Sequence, residues 1–342
     1  MRTGVRAWFI AILVCAVWVG APGNAAAQSK TGTTIGQFLQ IEPSARQAGM
    51  GNAGVALSDE IGALFYNPGA AGMLPAYSLQ LTHSEWFAGI DFDYFAVALP
   101  LEGIGTLFGS VTALSSGDID VRTVSQPLGT GERYSVTDVA ASLGYGRQIT
   151  DRFSAGGRIT YVSETIWHTS SNQIALDIGT VYRVPLSGLA LGTSLSNLST
   201  RSRFTGRDLA LQYDSDPDTH GDNSALPAQQ VTGDFSLPLL FRVGIAYPFG
   251  IGSRSRAILA ADAHHPSDDG ESLSLGGEWI WSETLALRLG YQELFQEDAE
   301  MGLTAGLGLN TRLVGQGFRF DYAWASHEHL DEVHRFTVVL AF

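Results

Sequence analysis

The sequence predicts an all-β protein, a 14-stranded antiparallel transmembrane β-barrel with an N-terminal hatch or plug segment. Three observations carry that expectation. First, the last runs alternate strictly: Phe336, Val338, Leu340 and Phe342 fall on one face, and Arg335, Thr337, Val339 and Ala341 on the other. The run before repeats it, with Phe318, Phe320, Tyr322 and Trp324 against Arg319, Asp321 and Ala323. Second, the connections between such runs alternate between tight turns and long polar loops. Third, choosing the leucine-rich phase of each run as the outside places nearly all the strand charges inside.

Residues 1–27 read as a secretory signal peptide. Arg2 and Arg6 precede an apolar run from Ala7 to Val19, and Ala25-Ala26-Ala27 offers small residues for cleavage. Cys15, the one cysteine, lies in that run, so no disulfide is expected in the exported chain. The full chain has a formal charge of −14 and a single lysine, Lys30, which argues against nucleic acid as a partner. Forty glycines and 45% hydrophobic residues, with no long helical period, suit a β-rich chain.

Residues 28–75 do not alternate. Small residues dominate, in Gly49-Met50-Gly51-Asn52-Ala53-Gly54 and in Asn67-Pro68-Gly69. Ser58, followed by Asp59 and Glu60, has the composition of a helix N-cap, and Asn67-Pro68 that of a stop. The glycine run follows no strand, so it does not read as a nucleotide-binding turn.

From residue 76 to 342 the chain divides into strand-length runs of about ten residues, the span of a tilted membrane strand. Tight connections are expected at 102–104, 148–151, 185–188, 248–255, 282–284 and 314–316. The opposite set is 88–90, 115–133, 166–171, 198–238, 266–271, 295–301 and 327–333. Short turns on the periplasmic side and longer loops outside are the outer-membrane pattern. Inward charges are then Arg158, Asp177, Arg183, Arg242, Asp262, Glu278, Arg288, Arg312, Arg319, Asp321 and Arg335. An arginine in the midplane facing lipid would cost ~2–4 kcal/mol, so this sorting is selective. Outward aromatics gather at strand ends, as Tyr182, Tyr247, Trp279, Trp281 and Phe342 do. Phe336, Val338, Leu340 and Phe342 resemble the terminal assembly signal of such barrels.

A closed sheet of this size is roughly 28 Å across at the backbone, too wide for wall side chains to fill. Residues 28–75 are the natural plug. Within them Phe38-Leu39-x-Ile41, Ala45-Arg46, Gly49-Met50-Gly51-x-Ala53, Val55-Ala56, Asp59-Glu60, Ala63-Leu64 and Tyr66-Asn67-Pro68 resemble the N-terminal motif of the PorV/PorQ family. That family is similar in architecture to the FadL-type transporters. The motif positions singled out are Arg46, Gly49, Gly51, Asp59, Asn67, Pro68 and Gly69, the last standing where the family usually has alanine. The resemblance implies a non-enzymatic outer-membrane barrel that binds and shuttles cargo in type IX-like secretion. Its expected partners are a secretion-system or cargo protein, besides membrane lipid and the barrel assembly machinery. The alternative is a FadL-like transporter of a hydrophobic small molecule. Val162, Ile258 and Ile280 are among the few large apolar inward residues the pattern places, which tilts the sequence reading to the shuttle.

Other constellations carry less. His327-Glu328-His329 with Asp331, Glu332 and His334, and the pair His264-His265, read as solvated loop and strand-end residues rather than metal sites. Asp214, Asp216 and Asp218 begin like a calcium loop, but Thr219 stands at the required glycine and Ala225 at the required glutamate. Ser84 and His83 are adjacent on a strand, hence on opposite faces, which gives no nucleophile–base pair. No cofactor is expected.

Overall fold

The computed structural model describes residues 32–342 except 186, 217, 219–224, 297, 298 and 314, so the expected signal peptide lies outside the described residues. Fourteen long strands form the wall: β1 (Ser78–Glu85), β2 (Asp91–Leu101), β3 (Gly105–Ser115), β4 (Val136–Thr150), β5 (Phe153–Ile166), β6 (Thr169–Arg183) and β7 (Ala190–Ser199), then β8 (Leu240–Ile251), β9 (Ser255–Pro266), β10 (Ser272–Trp281), β11 (Leu285–Leu294), β12 (Met301–Leu313), β13 (Gln316–His327) and β14 (Val333–Ala341). Each pairs antiparallel with its chain neighbours. The ring closes where β14 meets β1, from Ser78 opposite Ala341 to Glu85 opposite His334. Closure leaves the wall no free edge, the condition for crossing lipid with strands.

The alternation of connections holds except at the expected 166–171 loop, which is only the turn 167–168 between β5 and β6, and several boundaries move. The expected turn at 248–255 shrinks to three residues because β8 runs on through Pro248, which sits opposite Ile258. The 198–238 loop carries its own hairpin, Ala210–Tyr213 against Leu226–Gln229. Another pairing, Ile119–Asp120 with Arg133–Tyr134, stiffens the 115–133 loop. Between β6 and β7 the register slips at Leu176/Ile178. Asn197 there takes φ +64°, and its N–H donates to Asp177 Oδ1 at 2.6 Å.

The two faces separate as alternation requires. Leu289 is 64% exposed and Leu307 is 55%, whereas Asp321 and Thr337 are completely covered. Leu307→Arg is therefore expected to destabilise the folded barrel by ~2–4 kcal/mol, measured by urea titration in lipid vesicles. Thr304, on the other phase, is no empty lumen position. Its Oγ accepts the Gly51 N–H at 2.9 Å, so arginine there would strike the plug and spare the lipid face.

Inside the ring lies the N-terminal segment, with two short helices, α1 (Ala45–Ala48) and α2 (Ala63–Tyr66), and two 3-10 turns. Ser58 does not cap a helix, contrary to expectation. α2 starts five residues later, after Gly62 and without a side-chain cap. Ser58 Oγ instead accepts from the Arg183 guanidinium at 3.2 Å. Asn67 does end α2, and its Oδ1 accepts the Gly69 N–H at 2.9 Å to start the next turn.

Candidate functional site

The segment is held first by charge. Arg46 is buried and grips wall residue Glu278 with two nitrogens, at 3.0 Å from Nε and 2.6 Å from Nη2. Its remaining nitrogen donates to Asp59 at 2.9 Å. Burial opposes the charge on Arg46, but Asp59 and Glu278 outweigh it and hold the pKa above the ordinary arginine value. Glu278 also accepts from Arg288 at 2.7 Å, which reaches Asp321 at 2.7 Å, which in turn binds Arg319. Arg319 returns to the plug at Glu60. Three cations and four carboxylates thus form one chain between plug and wall, all but the exposed Asp59 largely removed from water, where such pairs are geometrically demanding.

Backbone contacts come second. Asp262 Oδ2 accepts the N–H groups of Gly54 and Val55 at 2.7 and 2.8 Å. Thr337 accepts from Ala45, and Ser154 donates to the Gly69 carbonyl at 2.6 Å. Asn67 Nδ2 donates to the carbonyls of Val55 and Thr180.

A third kind of contact was not foreseen. Inward glycines on eight strands face the plug: Gly146, Gly156, Gly179, Gly192, Gly244, Gly276, Gly290 and Gly306. Several sit side by side across strands, as Gly146 does with Gly156, Gly156 with Gly179, and Gly276 with Gly290. A Cβ at Gly276 would lie 2.1 Å from the Met50 carbonyl oxygen, and one at Gly192 would lie 2.2 Å from that of Val55. Plug backbone lies directly on wall backbone here, which no larger residue permits. The plug's own Gly69 meets the same condition, since its Cβ would fall 2.6 Å from the Gly179 carbonyl. That position, where the resembled family usually has alanine, leaves no room here for a Cβ.

On the β1–β3 side the contact is greasy instead. Phe92, Tyr94, Ala96 and Ala98 of β2 and Phe108 of β3 point inward and join Phe38, Leu39, Ile41, Leu64 and Phe65 of the plug in one connected cluster. Phe65 packs edge-on against Tyr94, with ring centroids 6.3 Å apart. The cluster runs from Trp86 and Leu114 at the long-loop end to Met73 and Leu74 at the short-turn end. The expected scarcity of large inward apolar residues is thereby corrected. β2 is apolar on both faces, so its alternation does not reveal which aromatics turn in.

The predicted inward charges are placed as follows. Arg158 pairs with Asp177 across β5 and β6, a wall–wall contact. Arg242 is buried with its guanidinium 5.8 Å from the Tyr66 ring centre, and Arg335 holds Ser84 Oγ at 3.0 Å. Between them Glu42 of the plug is half-buried; burial raises its pKa, against the pull of Arg242 and Arg335. Arg312 and Arg183 lie on the inward phase but at exposed strand ends, Arg183 still reaching Ser58 of the plug.

With this geometry in hand, the chain can be compared with known proteins. The Pseudomonas putida toluene transporter TodX superposes with a TM-score of 0.56 at 12% identity, covering 88% of this chain and 97% of that one. The CymD monoaromatic hydrocarbon channel gives 0.56 at 11%, over 88% and 98%. A Pseudomonas aeruginosa FadL homologue gives 0.56 at 10%, over the same shares. The likeness is one of fold. No protein-family model matches the chain, and no curated protein matches it.

The PorV/PorQ resemblance is thus confined to the plug motif, and the barrel-level likeness lies with the FadL-type architecture. Among the described residues no cluster of three or more metal-ligating side chains occurs. Asp214 Oδ1 accepts the Asp216 N–H at 3.0 Å, while Gly221, Asp222 and Asn223 of that loop lie outside the described residues. His327 stands 3.4 Å from Glu300 and meets the Phe87 ring edge-on.

Proposed function

We propose that this protein passes a hydrophobic small molecule across the bacterial outer membrane, along the apolar column between the plug and β1–β3. The observation that carries this reading is the apolar cluster that joins the plug to β2 and β3 and takes in Trp86 and Leu114 towards the long-loop end and Met73 and Leu74 towards the short-turn end. A shuttle that only displays loops needs no such column, and the solved barrels with similar folds include transporters and channels of toluene and other monoaromatic hydrocarbons. The type IX shuttle expected from the plug motif is set aside. The column is packed, so passage requires buried side chains such as Phe92 and Phe108 to swing aside.

Vesicles with a lipopolysaccharide outer leaflet, which slows the direct entry of hydrocarbons, should take up labelled toluene faster with the purified barrel inserted than when empty. Ala96→Trp, which fills the column at mid-strand, should reduce that uptake several-fold while leaving a heat-modifiable barrel. Overpacking of this kind costs about 1–3 kcal/mol, tolerable for the wall as a whole. Equal uptake by empty vesicles, or by the tryptophan variant and the parent, would overturn the reading. Capture of a stoichiometric protein partner through the 198–238 loop, with no uptake, would restore the shuttle.

A further inference from the structure

At the long-loop end of the β1–β14 seam lies a pocket of about 520 Å³, walled by Trp86 and Phe87 and rimmed by Glu85, Asp91, Asp331 and Glu332. Trp86 is half-buried, lines this pocket and packs against the inner apolar cluster. Behind it stands Arg335, whose guanidinium carbon is 5.9 Å from the Trp86 ring centre and which is buried to 3% exposure. Charges therefore change sign across the indole, with carboxylates on the outer side and a guanidinium on the inner. Glu42 is the acid that partly offsets Arg335, and His334 is turned aside to the Tyr322 hydroxyl at 2.9 Å.

We infer that this pocket is the entrance to the column, and that Trp86, set between the acidic rim and Arg335, selects uncharged molecules. The inference rests on the transport reading above and adds to it a place of entrance and a selection rule. An anion is repelled at the rim, where a cleft lined by one sign of charge focuses its field. A cation is drawn into the rim and then meets Arg335 in apolar surroundings, where an unpaired charge is costly to bury. A neutral aromatic meets neither barrier and gains contact with Trp86 and Phe87. The arrangement disfavours carboxylates and amines alike, whatever their hydrophobic body.

Vesicle uptake of toluene, benzoate and benzylamine, three probes with similar rings and different charges, tests the inference. Ile90→Cys, labelled with a bulky maleimide, fills the pocket without touching the column; Val124→Cys, on the 115–133 loop and fully exposed, is the labelled control. Labelling at 90 should cut toluene uptake by about tenfold or more, and labelling at 124 should leave it unchanged. The fourfold variant E85Q/D91N/D331N/E332Q should raise benzoate uptake relative to toluene by about tenfold, the lower range of electrostatic steering. Unimpeded toluene uptake through the protein labelled at 90 would place the entrance elsewhere. An unchanged benzoate-to-toluene ratio in the fourfold variant would remove the charge filter. If the unlabelled parent takes up no toluene at all, the transport reading falls and this inference with it.

Discussion

Arg46→Met is expected to convert a closed barrel into a conducting one. The guanidinium is the plug's main charged hold on the wall, joining the buried Glu278 to the exposed Asp59. Removing one partner of a buried pair leaves the other uncompensated and typically costs 3–5 kcal/mol, about half the stability of an ordinary domain. Here Glu278 keeps Arg288 at 2.7 Å, so the loss should fall near the lower end, about 3 kcal/mol, and should fall on the plug. The wall has its own closed ladder and should persist. In planar lipid bilayers the parent is expected to show no steady conductance and the variant frequent openings. A silent Arg46→Met barrel, with the plug still protected from protease, would show that the charged chain is not what holds it.

The second large effect is steric. Gly276 and Gly277 are consecutive on β10 and point to opposite faces. A Cβ at Gly276 meets the Met50 carbonyl at 2.1 Å, whereas one at Gly277 meets only Leu259 Cδ2 at 3.5 Å, an ordinary contact. Gly276→Leu should therefore expel the plug or block folding, while Gly277→Leu, facing lipid, should be tolerated. Heat-modifiability on gels reads the barrel, and protease cleavage within 45–72 reads the plug. Equal behaviour of the two variants would contradict the plug position described.

Much of the barrel was legible from alternation because a lipid-facing wall allows few exceptions. Leu285, Leu287 and Leu289, or Phe336 and Phe342, can only face out, and that fixes the partners Arg288 and Arg335 as inward. Alternation fails where both faces are apolar. β2 carries Phe92 and Tyr94 on one face and Phe95, Val97 and Leu99 on the other, and only the plug's own aromatics decide between them. The glycine belt was hidden for another reason. Single glycines within strands read as weak points, and their meaning emerges only when neighbouring strands are set in register and the plug is laid against them. Arg312 shows the opposite limit: phase gives the face, but depth along the strand decides whether that face is covered.

Residue-level likeness in the plug motif also proved an incomplete guide. Arg46, Gly49, Gly51, Asn67 and Gly69 all make contacts that hold a plug in a barrel, and such contacts are compatible with either a shuttle or a transporter. What separates the two is the chemistry of the space beside the plug.

The central claim is that a hydrophobic molecule occupies that space, and its most direct test is to locate one there. Crystals of the protein soaked with bromobenzene would give an anomalous bromine peak wherever the molecule settles. The account predicts a peak beside Phe65, Phe92 and Phe108, within the barrel wall. Bromine found only on the lipid-facing surface, with the column unchanged at saturating bromobenzene, would contradict it.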